Sequence, residues 1–144
     1  MVGSTADASN SENLRDDIQD KGWKDKQMQL SLPWPPSVNN YWRMARGRIY
    51  ISAKGRAYRE AVKLLVHGKG HFNPDTRLAV HITANPPDRR RRDVDNLFKC
   101  TLDSLEHANI FADDSQVDRL SIHRAVVIPG GALLVTIQSV SNEE

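Results

Sequence analysis

The stretch LAVHITANPPDRRRRDVDNLFKCTLDSLEHA, residues 78–108, changes its hydrophobic period partway along, and that change sets the fold class. Over residues 78–84, Leu78, Val80 and Ile82 alternate with small or polar residues, the period of a strand with one buried face. Pro86 and Pro87 lack backbone donors and end that strand. From about Val94 the period lengthens, and Phe98, Thr101, Leu102, Leu105 and Ala108 line one stripe of a helix. A strand that feeds directly into an amphipathic helix predicts a sheet with that helix packed on it. Between the two lie four consecutive arginines, Arg89, Arg90, Arg91 and Arg92, set against Asp93 and Asp95.

Upstream, Met28, Leu30 and Leu32 of QMQLSL repeat the strand period. Pro33, Pro35 and Pro36 keep the following PWPPSVNNYW out of regular structure and predict a rigid, extended loop with exposed aromatic surface. YWRMARGRIYIS reads as a β-hairpin turning near Ala45, Arg46 and Gly47. Ser52 is placed to cap a helix in which Tyr58, Ala61, Val62, Leu65 and Val66 share a face, and Gly68 and Gly70 end it.

Downstream, the acidic loop FADDSQ precedes VDRLSIHRAVVI, a strand over 117–128 with Leu120, Ile122 and Val126 alternating. Pro129, Gly130 and Gly131 then turn the chain into ALLVTIQSV, which predicts an antiparallel hairpin of these two runs. The order strand, hairpin, helix, strand, helix, strand, strand predicts an α+β fold: one small domain, a mixed β-sheet with two main helices packed against it.

The length of 144 residues suits one domain with a single core. No apolar run approaches the roughly 18 residues a membrane span requires, and no signal-peptide core begins the chain, so the expectation is a cytoplasmic protein without a membrane partner. The single cysteine, Cys100, excludes an internal disulfide and has no zinc-ligand companions, leaving it the role of a small apolar helix residue. Residues 1–26 are polar and carry six acids against four bases, which predicts a disordered extension ahead of a folded domain over 27–144. That domain keeps 16 basic and 12 acidic residues, or +4, a balance compatible with a nucleic-acid client.

Asp93 and Asp95 stand where loop becomes helix. Simple capping would account for one of them, but two, followed by Asn96, exceed what a cap needs. Two carboxylates one residue apart in a loop can instead hold a hard cation such as Mg²⁺. Lys99, four residues after Asp95, either forms an ordinary ion pair with it or reaches the space above the acids, where it would bind phosphate or orient water. Asp113 and Asp114 read either as a polar turn or as a source of a third ligand. If the strand after them runs beside the one ending at Ala84, Asp114 would come near the start of the same helix. Such a cluster suits phosphodiester hydrolysis, and no nucleotide-binding glycine motif points to an organic cofactor. The arginine run reads as a solvated loop, a neutralising partner for the adjacent acids, or a phosphate clamp. Arg43, Arg46, Arg48, Lys54 and Arg56 form a second basic set.

PWPPSVNNYWR, ISAKGRAYR, PPDRRRRDVDNLFK and IFADDSQV, in this order and spacing, resemble the RusA-type Holliday-junction resolvases over about Gln27 to Val140. The resemblance implies a homodimeric enzyme dependent on Mg²⁺, with Mn²⁺ as a substitute, that cuts four-way DNA junctions by paired symmetric incisions in bacteria or their phages. It implies that Asp93, Asp95 and Asp114 bind the metal, that Lys99 is needed, and that Arg92 contacts DNA. A nuclease of other selectivity and a non-catalytic DNA-binding module are the alternatives.

Overall fold

The computed structural model describes residues 26–140, so the expectation for the N-terminal extension lies, Lys26 apart, outside the described residues. In chain order the elements are β1 (Gln27–Leu32), the single-turn helix α1 (Val38–Tyr41), β2 (Trp42–Ala45), β3 (Arg48–Ile51), α2 (Ala53–Val66), β4 (Leu78–Asn85), α3 (Asn96–His107), a 3₁₀ turn (Asp114–Gln116), β5 (Val117–Arg124) and β6 (Ala132–Ser139). Four strands form a mixed sheet in the order β1-β6-β4-β5, and β2 with β3 forms a separate ribbon, so the α+β expectation holds.

The core follows the predicted periods. Met28, Leu30 and Leu32 of β1, Leu78, Val80 and Ile82 of β4, and Leu133, Val135 and Ile137 of β6 all point to one buried face. Each such aliphatic side chain contributes about 1.5–3 kcal/mol by leaving water. Helix α2 meets them with Tyr58, Val62 and Val66, and α3 with Leu97, Cys100 and Leu105. Leu65, expected on this face, is half-exposed, because the stripe that α2 buries is narrower than the predicted one. Ser52 caps α2 as expected, its hydroxyl oxygen accepting from the Gly55 N–H at 2.9 Å.

The expected hairpin of the last two strands does not form. Strand β6 pairs antiparallel with both β1 and β4, while β5 pairs parallel with the far side of β4. The physical reason lies in composition. Strand β6, with Leu133, Val135 and Ile137 fully buried, takes an interior place, whereas β5 is rich in polar residues and is left largely exposed at the edge. The strand also ends at Arg124, four residues earlier than expected. Residues 125–128 instead follow the end of β4, with Ala125 N–H donating to the Ala84 carbonyl and Ile128 N–H to that of Pro86, and Val126 stands exposed.

The proline loop also departs from expectation, since Val38–Tyr41 closes into a helical turn and Tyr41 is fully buried. Its hydroxyl donates to Asp103 of α3 at 2.5 Å, and Arg59 of α2 holds the same carboxylate through Nε at 2.8 Å and Nη2 at 3.0 Å. Three helices are thereby tied at one point. A Cβ on Gly55 would lie 2.5 Å from the Tyr41 carbonyl oxygen, so only glycine lets α2 approach α1 this closely.

Candidate active site

The loop from β4 to α3 sorts its charges in an order the sequence does not suggest. Arg92 pairs with Asp88 at 2.8 Å and Arg90 pairs with it at 3.2 Å, while the Arg90 N–H donates to the same carboxylate at 3.0 Å. These contacts, that of Arg92 foremost, hold the Asp88 carboxyl well below the usual carboxylate range. The Arg92 guanidinium also lies over the Trp34 ring, 5.6 Å from its centroid, and its carbonyl accepts from Arg124 Nη2 at 2.7 Å. Arg92 and Arg90 therefore neutralise Asp88 and not Asp93 or Asp95, which corrects the neutralisation reading. Sequence reasoning missed Asp88, because four-residue spacing brings side chains together on a helix and residues 88–92 are a loop.

Asp95 occupies the position before the first turn of α3 with helical backbone angles, φ −65° and ψ −21°, and its side chain caps nothing. Backbone bonds, Asn96 N–H to Asp93 O and Leu97 N–H to Val94 O, carry the turn instead. Asp93 and Asp95 are both exposed, and among the described residues no hydrogen bond or ion pair engages either carboxylate. Capping thus explains neither acid. Asp93 lines a cleft of about 930 Å³, together with Trp34, Pro36, Arg91, Arg92 and Arg124.

Lys99 stands one turn into α3 and makes no ion pair with Asp95 among the described residues. It lines an adjoining groove of about 570 Å³, opposite Trp42, Met44 and Ile49 of the ribbon, and Val38 lies between the two depressions. Beside it in α3, Cys100 is buried, and that burial pushes its thiol up to about 12. It is a core residue, as expected.

The second acidic pair divides its roles. The Asp113 side chain accepts from Ser115 N–H at 3.0 Å and, with Gln116, closes a capping box on the 3₁₀ turn. The buried Gln116 completes the turn, accepting from Ala112 N–H and donating to the carbonyls of Asn73 and Thr76. Asp114 contributes only backbone groups, its N–H donating to Glu106 at 3.2 Å and its carbonyl accepting from Val117 N–H, and its carboxylate is left exposed. Carboxylate oxygens of Glu106, Asp113 and Asp114 lie within 4.8 Å of one another. Burial, and then the charges of Asp113 and Asp114, raise the Glu106 carboxyl above its ordinary value, against the lowering effect of the Asp114 N–H. Glu106 was missed by sequence reasoning, although its place in the last turn before the aspartates was a usable signal.

Asp114 does not reach the start of α3 within one chain. It sits against Glu106 in the last turn of a 12-residue helix whose first turn follows Asp95. At 1.5 Å per residue the two ends stand about 18 Å apart. The parallel pairing places β5 beside β4 as anticipated, but it aligns Val117 with Leu78, at the end of β4 remote from Asp93.

The remaining basic candidates are exposed: Arg89 and Arg91 on the loop, Arg46 at the ribbon's turn, Arg48 on β3, and Lys54 in the first turn of α2. No helix among the described residues is long and apolar enough to cross a membrane.

Residues 33–138 match the family model described as endodeoxyribonuclease RusA. The chain is 44% identical over 110 residues to the crossover junction endodeoxyribonuclease of Enterobacteria phage HK97, covering 76% of this chain and 92% of that protein. The enzyme of the same description from Enterobacteria phage 82 is 43% identical over 118 residues, 79% of this chain and 96% of its own. That of Escherichia coli K12 is 40% identical over 115 residues, with coverage of 79% and 96%. The matched span contains both acidic pairs, Lys99 and the whole arginine run.

Proposed function

Because the chain belongs to the endodeoxyribonuclease RusA family, we propose that it resolves four-way DNA junctions as a Mg²⁺-dependent homodimer, making paired symmetric incisions in recombination and repair. The observation that carries this reading is the separation of charges in the loop before α3. The arginines have their own acid in Asp88, so Asp93 and Asp95 remain exposed and uncommitted. Oxygen donors in that state suit Mg²⁺, or Mn²⁺ in its place, better than any softer metal. In this reading the endonuclease domain spans 27–144, residues 1–26 are an extension, and the enzyme works in the cytoplasm without an organic cofactor.

Asp93, Asp95 and Asp114 are the residues that would hold the ion. When bound, Mg²⁺ polarises the phosphoryl oxygens and lowers the pKa of a coordinated water. The chain's own groups do the rest. Arg89 and Arg91, exposed and unpaired among the described residues, hold the DNA backbone, with Arg46, Arg48 and Lys54 extending the track. Arg92, fixed on Asp88 and Trp34, presents its remaining donors to a phosphate in a set direction. Lys99 faces the scissile phosphate from the adjoining groove and stabilises the charge that builds on it.

The distance between the two ends of α3 gives the homodimer a chemical purpose, because Asp114 would come from the partner. Strand β5 is a sheet edge with no second strand partner among the described residues, and it begins just after the 3₁₀ turn and ends at Arg124, beside Arg92. Two copies paired antiparallel along that edge would set the partner's Asp114 near Asp93 and Asp95, and the acidic end of one α3 against the arginine-rich end of the other.

A mixing experiment tests both parts. Asp95→Asn and Asp114→Asn are each expected to bind a four-way junction and leave it uncut. Mixed subunits of the two variants would regain one intact site per dimer and nick a single strand. A mixture as inactive as its parts refutes the shared site, and cutting of linear duplex as fast as of the junction refutes the resolvase reading.

A further inference from the structure

The apolar side chains of the β2–β3 ribbon take no part in the chemistry above, yet two of them stand largely exposed beside the site. Met44 is 70% exposed and Ile49 66%. They pair directly across the ribbon, as do Trp42 and Ile51 behind them, so all four side chains lie on one face. Trp42 and Ile51 are partly buried against the core and anchor that face, while Met44 and Ile49 continue it outward as a ledge. The ledge forms one wall of the groove that holds Lys99.

The ledge's surroundings state what it would meet. Residues 42–51, WRMARGRIYI, contain Arg43, Arg46 and Arg48 and no acid. All three arginines are exposed, and none has an ion-pair partner among the described residues. Arg46 stands at the ribbon's tip and Arg43 and Arg48 on the face opposite the ledge, and an apolar partner protein would not be matched to cations so placed and unopposed. A molecule with phosphates outside and flat apolar faces within would be, and nucleic acid is that molecule. The ribbon is also stiff. Arg46 and Gly47 close it in a two-residue turn with φ of 54° and 75°, and its base is clamped where Gly55 meets Tyr41 and Ile51.

We infer that the ribbon is a wedge for nucleobases: Met44 and Ile49 enter the branch point of a bound DNA junction and stack on the opened base step, while Arg43, Arg46 and Arg48 hold the flanking phosphates. Apolar side chains inserted at a base step unstack it and kink the duplex, which would bring the adjoining phosphate toward Lys99. The inference rests on the junction reading, and it assigns to this ribbon the opening of the branch.

The test uses the full chain in the Asp95→Asn background, with a junction carrying 2-aminopurine at the branch point. Binding is expected to raise the fluorescence at the branch and not in the arms. Adding Met44→Ser and Ile49→Ser is expected to abolish most of that rise while changing junction affinity by no more than about threefold, since the phosphate contacts remain. In otherwise wild-type protein the same pair is expected to slow cleavage of the intact junction by about tenfold or more, part of the free energy of unstacking one step. Cleavage of a junction built with unpaired bases at the branch should be spared. Met44→Leu with Ile49→Val should keep the fluorescence rise, which a merely unfolded ribbon would not. An unchanged rise in the serine variant, or its conversion to monomers, overturns the wedge. Protein that opens the branch and does not cut it would refute the resolvase reading while upholding the wedge.

Discussion

The two ends of helix α3 both carry exposed aspartates, and they keep them in opposite electrostatic surroundings. At the N-terminal end Asp93 and Asp95 stand beside four arginines, and two of those arginines are occupied by Asp88. At the C-terminal end Asp113, Asp114 and Glu106 crowd together, and among the described residues none of the three forms an ion pair. The helix dipole sharpens the contrast, because it favours negative charge at the first end and disfavours it at the second. The comparison shows two ways to keep a carboxylate available. A neighbouring cation is given a different acid, or one acid of a pair is spent on the turn so that the other is free. Neither end brings Asp93, Asp95 and Asp114 together in one chain, and their opposite character is what a two-fold partner would bring together.

The largest effect should separate Asp114 from Asp113. Asp95→Asn and Asp114→Asn are each expected to slow junction cleavage by about three orders of magnitude, the scale on which groups that stabilise transition-state charge act. Asp113→Asn is expected to slow it only several-fold. Initial rates on a labelled four-way junction measure this, and an equal collapse for Asp113→Asn would erase the division of roles within the pair.

Stability should rank the same two residues in reverse. Asp113→Ala removes the cap of the 3₁₀ turn and is expected to lower the melting temperature by roughly a few degrees. Asp114→Ala leaves the turn's hydrogen bonds in place and relieves repulsion with Glu106, so its melting temperature should hold or rise slightly.

The smallest effect concerns pH, and the two ends should show opposite signs. The folded-state pKa of Asp88 is lowered, so its contribution is present above the ordinary carboxylate range and fades as pH falls through the folded value. Asp88→Asn should therefore lower the melting temperature at neutral pH and make no difference in strong acid. The Glu106 pKa is raised, so its charged form opposes folding as pH rises. Glu106→Gln should raise the melting temperature slightly at neutral pH, with the gain vanishing once Glu106 is protonated. Melting curves across pH check both, and equal signs at the two ends would break the comparison.

Much of this architecture was legible in one dimension. Alternation in β1 and β4 named their buried residues, the glycine at the ribbon's turn marked a hairpin, and Ser52 marked a helix start. The candidate acids, the lysine and the arginines could likewise be picked out by type and spacing. What spacing left open was whether a side chain was already engaged. Asp113 and Asp114 look identical in sequence, yet one bonds the turn and the other does not. Arg92 touches Asp93 in the chain and Asp88 in space.

The sequence by itself determined the buried faces of β1 and β4 and the places of α2 and α3, because burial on one face imprints a local period of two or near 3.6. Only the tertiary structure decided neighbours. It set β6 between β1 and β4 and left the polar β5 at the edge. By running β4 and β5 parallel it put the length of α3 between Asp95 and Asp114. Two acids that motif spacing treats as one site are thus held apart by a rigid helix whose length was legible, while the strand pairing that fixes Asp114 at its far end was not.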